Sequence, residues 1–296
     1  MTRVLVTGTR GFVGAHLADE LGRRGFDVLC SRRPRVGTPP DARSIDLDLT
    51  QPFALPRDVE AIVHCAATSP APGVSSAQIV RDSVHATENL LNAAARIGVR
   101  QLVYLSSLSV YGRIDAPEVN EETPRRDPDV YGASKHLAEE LVRGHADRAA
   151  TIALRLPGVV GRGAARNWLA SLLAQLRADR DVRIFNPEAR FNNAVHVAEL
   201  GALVAGLLER GWQGFDALTL GARGALPIRD VVARVAEQAG SRSAVHVHAA
   251  EQSAFTISSA RAIERYGYEP SEIGALLKRW VAEELETSPA EQKGVA

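Results

Sequence analysis

Short apolar runs and stretches of helical period alternate from the first residues onward. The segments 4–7, 28–31, 61–66, 102–106 and 152–156 are strand-like, and between them 11–24, 77–97 and 134–145 place apolar residues at helical spacing. The strands are rich in Val, Leu and Ile with few polar alternations, which predicts burial on both faces. That requires a parallel sheet covered by helices on each side. The fold class implied is α/β, a doubly wound parallel sheet whose ligand crevice lies at the carboxyl ends of its strands.

Beyond Pro157 the rhythm loosens through Gly158, Gly161 and Gly163, then returns in helical patterns at 197–209 and 228–238 and an apolar run at 215–220. This predicts a nucleotide-binding domain over 1–166, completed by about 186–243. The segments 167–185 and 244–286 are expected to form a smaller substrate lobe, and the polar stretch 287–296 a loose tail.

Composition narrows the partners. Of 296 residues 45% are hydrophobic and 24% charged, and 35 basic residues balance 35 acidic ones, so no global field draws the chain to nucleic acid or an anionic membrane. Two cysteines, Cys30 and Cys65, without ligand spacing suggest neither a metal site nor a disulfide framework. With no apolar stretch of leader or membrane-span length, the expected setting is cytoplasmic. Only three of the basic residues are lysines, so Lys135 in a chemically suggestive place is notable.

The first strand runs into Thr7-Gly8-Thr9-Arg10-Gly11-Phe12-Val13-Gly14 and then a helix. Glycines there allow a tight turn, close approach of backbone to a pyrophosphate and close helix packing, with the phosphate at the positive helix end. Tyr131 and Lys135 stand four apart in a helical run, so the ammonium can sit beneath the phenol and favour its ionised form. A phenol of ordinary pKa about 10 then becomes an acid or base nearer neutrality. The strand at 102–105 ends in Ser106-Ser107-Leu108-Ser109, hydroxyls at a carboxyl end that can donate to a substrate oxygen as charge develops on it.

Together with His64-Cys65-Ala66-Ala67, Val110-Tyr111-Gly112, Arg155-Leu156-Pro157-Gly158 and Val195-His196-Val197, these motifs resemble the extended short-chain dehydrogenase/reductases, the NAD(P)-dependent epimerase/dehydratase group. In character the chain is nearest their nucleotide-sugar ketoreductases. The resemblance implies a Rossmann domain with Tyr131 as catalytic acid/base, Lys135 on the nicotinamide ribose, and Ser107 orienting the substrate, with Ser106 as the fallback. It implies cofactor contacts from Thr7, Gly8, Gly11, Phe12, Val13, Gly14, Ala66, Ala67 and Pro157. Asp48-Leu49, or Asp46-Leu47, would meet the adenine. It also implies a homodimer through the helices at 77–97 and 134–145, with Ile79, Leu90, Leu91, Leu137 and Leu141 on their apolar faces.

The departures are as informative. Where NAD-using members close the second strand with Asp, this chain has Arg32 and Arg33, and Arg10 lies in the glycine loop. Arginines attract the 2′-phosphate that an acid would repel, which implies NADP(H), NADPH preferred, with NAD as the alternative. Ser106-Ser107-Leu108 lacks the Thr-Asp-Glu of sugar dehydratases, Asn192 stands near the place of a diphosphate-holding Arg, and Ser83 replaces a usual Asn. A substrate phosphate is left to Arg162, Arg166, Arg183 or Arg190, with Asn167, Asn192 and Ser107 as further substrate candidates. No metal is expected; His64, His85 and His196 lack ligand spacing and are read as packed or capped.

The function expected is reduction of a carbonyl by NADPH, the keto group of a nucleotide-linked deoxysugar. The alternatives are a nucleotide-sugar epimerase, a reductase of a small aldehyde or ketone, and a non-catalytic dinucleotide sensor.

Overall fold

Val4, Leu5, Val6 and Thr7 have no exposed surface, so the first strand, β1 (Arg3–Thr7), is covered on both faces as its apolar run predicts. The computed structural model describes residues 1–34, 41, 43–248 and 254–286. The expected tail, 287–296, and residues 249–253 of the expected smaller lobe lie outside the described residues.

With β1 stand β2 (Asp27–Arg32), β3 (Ser44–Asp46), β4 (Ala61–His64), β5 (Gln101–Ser107), β6 (Ala150–Leu156) and β7 (Phe215–Thr219), in the spatial order β7-β6-β5-β4-β1-β2-β3. The pairs β1–β2, β1–β4, β2–β3 and β4–β5 are parallel. The chain moves from β1 outward to β3 and resumes on the other side of β1 with β4. That reversal puts a crevice at the carboxyl ends of β1 and β4. The doubly wound parallel sheet expected from the sequence is the fold observed.

Helix α1 (Phe12–Arg23) buries Gly14, Leu17, Ala18 and Leu21, one face at i, i+3, i+4, i+7. Burying each of its two leucines stabilises by about 1.5–3 kcal/mol. The single helix expected over 77–97 is instead α2 (Ser76–Val80), a π-helical turn (Arg81–His85) and α3 (Ala86–Ile97). The π turn widens the spiral by one residue, and the adjacent Asp82 and Ser83 are both buried. Helix α4 (Val130–Gly144) starts four residues before the expected 134, because the Asp129 side chain caps it by accepting from the Gly132 N–H at 2.7 Å. Tyr131 therefore sits in a helical first turn.

The chain divides into two units, and at other places than the sequence suggests. The first comprises Met1–Arg113, Pro124–Arg155 and Gly201–Leu218 and contains the large sheet. Its core packs Leu5, Ile62, Leu90, Leu102 and Tyr104. The second comprises Ile114–Thr123, Leu156–Leu200 and Thr219 onward. Of the segment 186–243 expected to complete the first domain, only Gly201–Leu218 joins that unit. The helix Ile228–Ala239 packs instead with Trp168–Arg177 and Ile273–Leu285 around Leu172, Val232, Leu277 and Trp280. Residues 156–166, expected in the first domain, belong to the second because Gly158–Val160 pairs with Ala194–His196 there. Among the described residues no helix is long and apolar enough to cross a membrane.

Candidate active site

At the end of β1 the backbone turns at Gly8 (φ +73°), and a Cβ on Gly14 would lie 2.3 Å from the Gly8 carbonyl oxygen, so only glycine lets α1 start this close. The N-cap of α1 is Gly11, which has no side chain to satisfy the first-turn N–H groups, and no acid occupies that turn. These amides, on Phe12, Val13 and Gly14, form the electropositive cradle that a pyrophosphate needs. A dinucleotide therefore fits the residues present.

Thr7 supports this loop from within. Its buried hydroxyl accepts from the Cys65 and Ala66 N–H groups, each at 3.1 Å, and meets His64 Nδ1 at 2.7 Å. Burial, with Lys135 nearby, pushes His64 down to about 3, so the imidazole is neutral. Its Nε2 lies 3.1 Å from the Thr87 hydroxyl, which itself donates to the Ser83 carbonyl at 2.6 Å. Nε2 must then carry the proton, and Thr7 donates to Nδ1. The Thr7 hydroxyl, expected among the cofactor contacts, is fully used by the framework.

The arginines that close β2 are partnered. Arg32 Nε lies 2.7 Å from Asp46 Oδ1, its register neighbour on β3, and Arg33 Nη2 lies 3.1 Å from Asp82 Oδ2. Arg10 Nη2 donates to the Arg33 carbonyl at 3.3 Å. Arg10 and Arg33 thus gather beside the glycine loop, with Arg32 balanced by Asp46. Asp48 is held below the usual carboxylate range by the Thr50 hydroxyl at 2.7 Å and the Thr50 N–H at 3.0 Å. Leu49 is buried, and its carbonyl accepts from Asn89 at 3.0 Å.

Tyr131, Lys135 and the serines come together at the end of β5. Gly132 permits it, since a Cβ there would stand 2.0 Å from the Ser109 carbonyl oxygen in the turn that follows Ser107. The Ser109 N–H donates to Ser107 Oγ at 3.1 Å, Ser107 Oγ donates to Ser109 Oγ at 3.1 Å, and the Ser107 and Ser69 hydroxyls act on the Tyr131 phenol to lower its pKa. The fallback serine is engaged elsewhere: Ser106 Oγ donates to the buried Glu139 at 2.5 Å. Lys135 Nζ donates to the Leu105 carbonyl at 2.8 Å and lies 4.8 Å from the Tyr104 ring centroid. Burial pushes it down to about 8.

The phenol moves opposite to the expectation. Burial pushes Tyr131 up, and the hydrogen bonds of Ser69 and Ser107 pull it only part of the way back.

Two of the expected substrate contacts, Asn192 and Asn167, are bonded to backbone. Asn192 is buried and donates to the Ala222 and Ile257 carbonyls at 3.0 and 2.8 Å while accepting from the Ile257 N–H at 2.8 Å. Asn167 caps a helix by accepting from the Ala170 N–H at 2.8 Å. Arg162 lies on the surface 3.5 Å from Glu286, and Arg166 adopts a left-handed φ of +60°. Asn167 and Arg190 do line one cavity of about 760 Å³ within the second unit, with Trp168, Arg183, Phe185 and Phe191. Sequence reading missed its aromatic wall, in which Trp168 and Phe191 meet edge to face at 5.1 Å. It also missed Ser69 and Asp82, whose partners come from distant segments. Among the described residues no cluster of His, Cys, Asp and Glu could hold a metal ion.

The profile of the NAD dependent epimerase/dehydratase family matches residues 4–215. The chain belongs to that family. The chain is 29% identical over 237 residues to a dTDP-4-dehydro-6-deoxy-D-allose reductase of a Streptomyces species, spanning 70% of this chain and 73% of the relative. It is 32% identical over 220 residues to a 3 beta-hydroxysteroid dehydrogenase/Delta 5-->4-isomerase of Mycobacterium tuberculosis, 69% of this chain and 60% of that protein. Among solved structures, MoeE5 in complex with UDP-glucuronic acid and NAD matches with a TM-score of 0.78 and 28% identity, over 96% of this chain and 98% of the other. The protein is thus an NAD(P)-dependent oxidoreductase of the extended short-chain dehydrogenase/reductase type.

Proposed function

We propose that this enzyme uses NADPH to reduce the keto group of a nucleotide-linked deoxysugar. The observation that carries the reading is the meeting of Tyr131, Lys135 and Ser107 at the end of β5, where Gly132 lets α4 close on the Ser109 carbonyl and Lys135 Nζ donates to the Leu105 carbonyl. A protonated phenol is the form that donates, and a donor is what carbonyl reduction asks of this residue. Ser107 orients and polarises the carbonyl oxygen, Tyr131 hands it the proton, and the Lys135 ammonium offsets negative charge as that proton leaves. When bound, the nicotinamide supplies the hydride to the carbonyl carbon. The glycine cradle, Ala66 and Ala67 hold the dinucleotide. The likeness to a dTDP-sugar reductase supports the substrate class. The second unit by itself holds a cavity whose Arg183, Arg190, Trp168 and Phe191 are of the kinds that bind a diphosphate and a base.

The preference for NADPH rests on Arg10, Arg32 and Arg33. A charge-assisted hydrogen bond contributes about 1.5–3 kcal/mol, so one bond to the 2′-phosphate gives about tenfold or more in Kd. Calorimetry is expected to find NADPH bound at least about tenfold tighter than NADH. Arg32→Asp, which sets a second carboxylate beside Asp46, should abolish or reverse the difference. Equal wild-type affinities would exclude the preference.

For assembly we propose a homodimer through α4, where Leu137 is half exposed. Ile79, Leu90 and Leu91, expected to share that contact, are buried. Light scattering at micromolar concentration should give twice the 31.8 kDa chain mass; the mass of a single chain would rule the dimer out.

A further inference from the structure

Behind the Tyr131–Lys135 pair lies a set of buried charges that the chemistry above does not use. Glu139 has no exposed surface, and Arg155, on β6, is 2% exposed. The Arg155 guanidinium reaches the two Glu139 oxygens at 2.9 Å (Nη2 to Oε2) and 3.1 Å (Nε to Oε1). Arg125 adds a contact at 3.3 Å, Ser106 donates at 2.5 Å, and Arg155 Nη1 donates to the Tyr111 hydroxyl at 2.9 Å. Apolar residues of similar size often stabilise a core as well as a buried ion pair does, so stability alone is a weak reason for this one.

Its two neighbours supply a better one. Successive strand residues point to opposite faces, and the Ser106 hydroxyl is taken up by Glu139, which leaves Ser107 as the serine of this strand end that is free of that carboxylate. Glu139 also follows Lys135 by four residues, which puts carboxylate and ammonium on one helix face. We propose that Glu139 is a positioning residue for the reaction: four residues on from Lys135 on the same helix face, it is the counter-charge that holds the buried Lys135 in its ammonium form. The catalytic part of this rests on the reading of Tyr131 and Lys135 given above.

The other groups around Lys135 leave that task to Glu139. From β4, His64 is neutral, and the Cys65 thiol, pushed up to about 12 by burial, is uncharged near neutrality. From β5, the Tyr104 phenol is raised by burial and neutral too, as is Tyr131 on α4 itself. On the segments packed against α4, Asp82 is taken by Thr68, Arg33 and Arg81, and His85 faces Glu88. Beyond Glu139 stand Arg155, Arg125, Tyr111 and His136, the last pushed down by burial. Burial pushes the Glu139 carboxyl up, but Arg155, Ser106 and Arg125 more than offset this and keep it ionised.

With only three lysines in the chain, the side-chain ¹³Cε resonance of Lys135 in the full-length protein, assigned with Lys135→Met, can be followed against pH without any substrate. In Glu139→Gln its midpoint should fall by about one pH unit or more, while Ser106→Ala leaves it in place. A reductase assay on the same variants should show the alkaline limb of kcat/KM moving down with that midpoint. If Glu139→Gln does not fold, Glu139→Asp, which keeps the charge and draws it back by one methylene, should show a smaller fall in the same direction. An unmoved Lys135 midpoint in whichever variant folds overturns the proposal. Because that titration needs no turnover, it stands or falls separately from the assignment of Tyr131 as donor.

Discussion

Tyr131→Phe is expected to lower turnover by about 10²- to 10⁴-fold, the usual contribution of a positioned acid or base, while leaving the Kd for NADPH within about threefold of wild type. The Tyr131–Gly132 turn of α4 packs on the Ser109 carbonyl at the end of β5, whereas the cradle for the pyrophosphate is the glycine turn after β1. Losing the hydroxyl thus removes an interaction that counts in the transition state and spares the groups that hold the dinucleotide. Lys135→Met should weaken both, since the ammonium serves the ribose and the proton donor alike. Ser107→Ala should cost less than Tyr131→Phe, because Ser69 also reaches the phenol and water can replace one bond to the carbonyl. Steady-state kinetics beside calorimetry checks the ordering. Near wild-type turnover by Tyr131→Phe would remove this residue from the mechanism.

The sheet and the glycine loop were legible because each rests on local spacing. Four consecutive buried residues make β1, and Gly14, Leu17, Ala18 and Leu21 make the inner face of α1. The start of α4 was not, because Tyr131-Gly132 looks like a turn until the Asp129 cap is seen, and glycine is there for the close approach of Ser109. Pairings between distant segments were likewise hidden. That Arg32 meets Asp46 depends on the register of β2 on β3. Ser69 and Glu139 reach their partners only through the packing of a loop and a helix on β5. Asn192 and Arg190 are two residues apart with opposite surroundings, one saturated by backbone and the other lining a cavity, and periodicity in a short irregular strand cannot tell them apart. The partition of the chain escaped for a similar reason. The helix Ile228–Ala239 has the apolar face of any sheet-covering helix, and its partners, Trp168–Arg177 and Ile273–Leu285, lie far away in sequence.

Reduction and epimerisation use the same residues and differ in the fate of the cofactor. An epimerase keeps its dinucleotide and returns the hydride to the same molecule, so no net cofactor is consumed. A reductase exchanges it at every turnover. The most direct test mixes the purified enzyme with NADPH and a nucleotide-linked 4-keto-6-deoxyhexose. The nucleotide sugars are separated by chromatography, and NADP⁺ formation is followed in the same samples. The account predicts one NADP⁺ released for each keto sugar reduced, continuing until the limiting reagent is exhausted. Conversion of nucleotide sugars with no accumulation of NADP⁺ would contradict it and identify the enzyme as an epimerase.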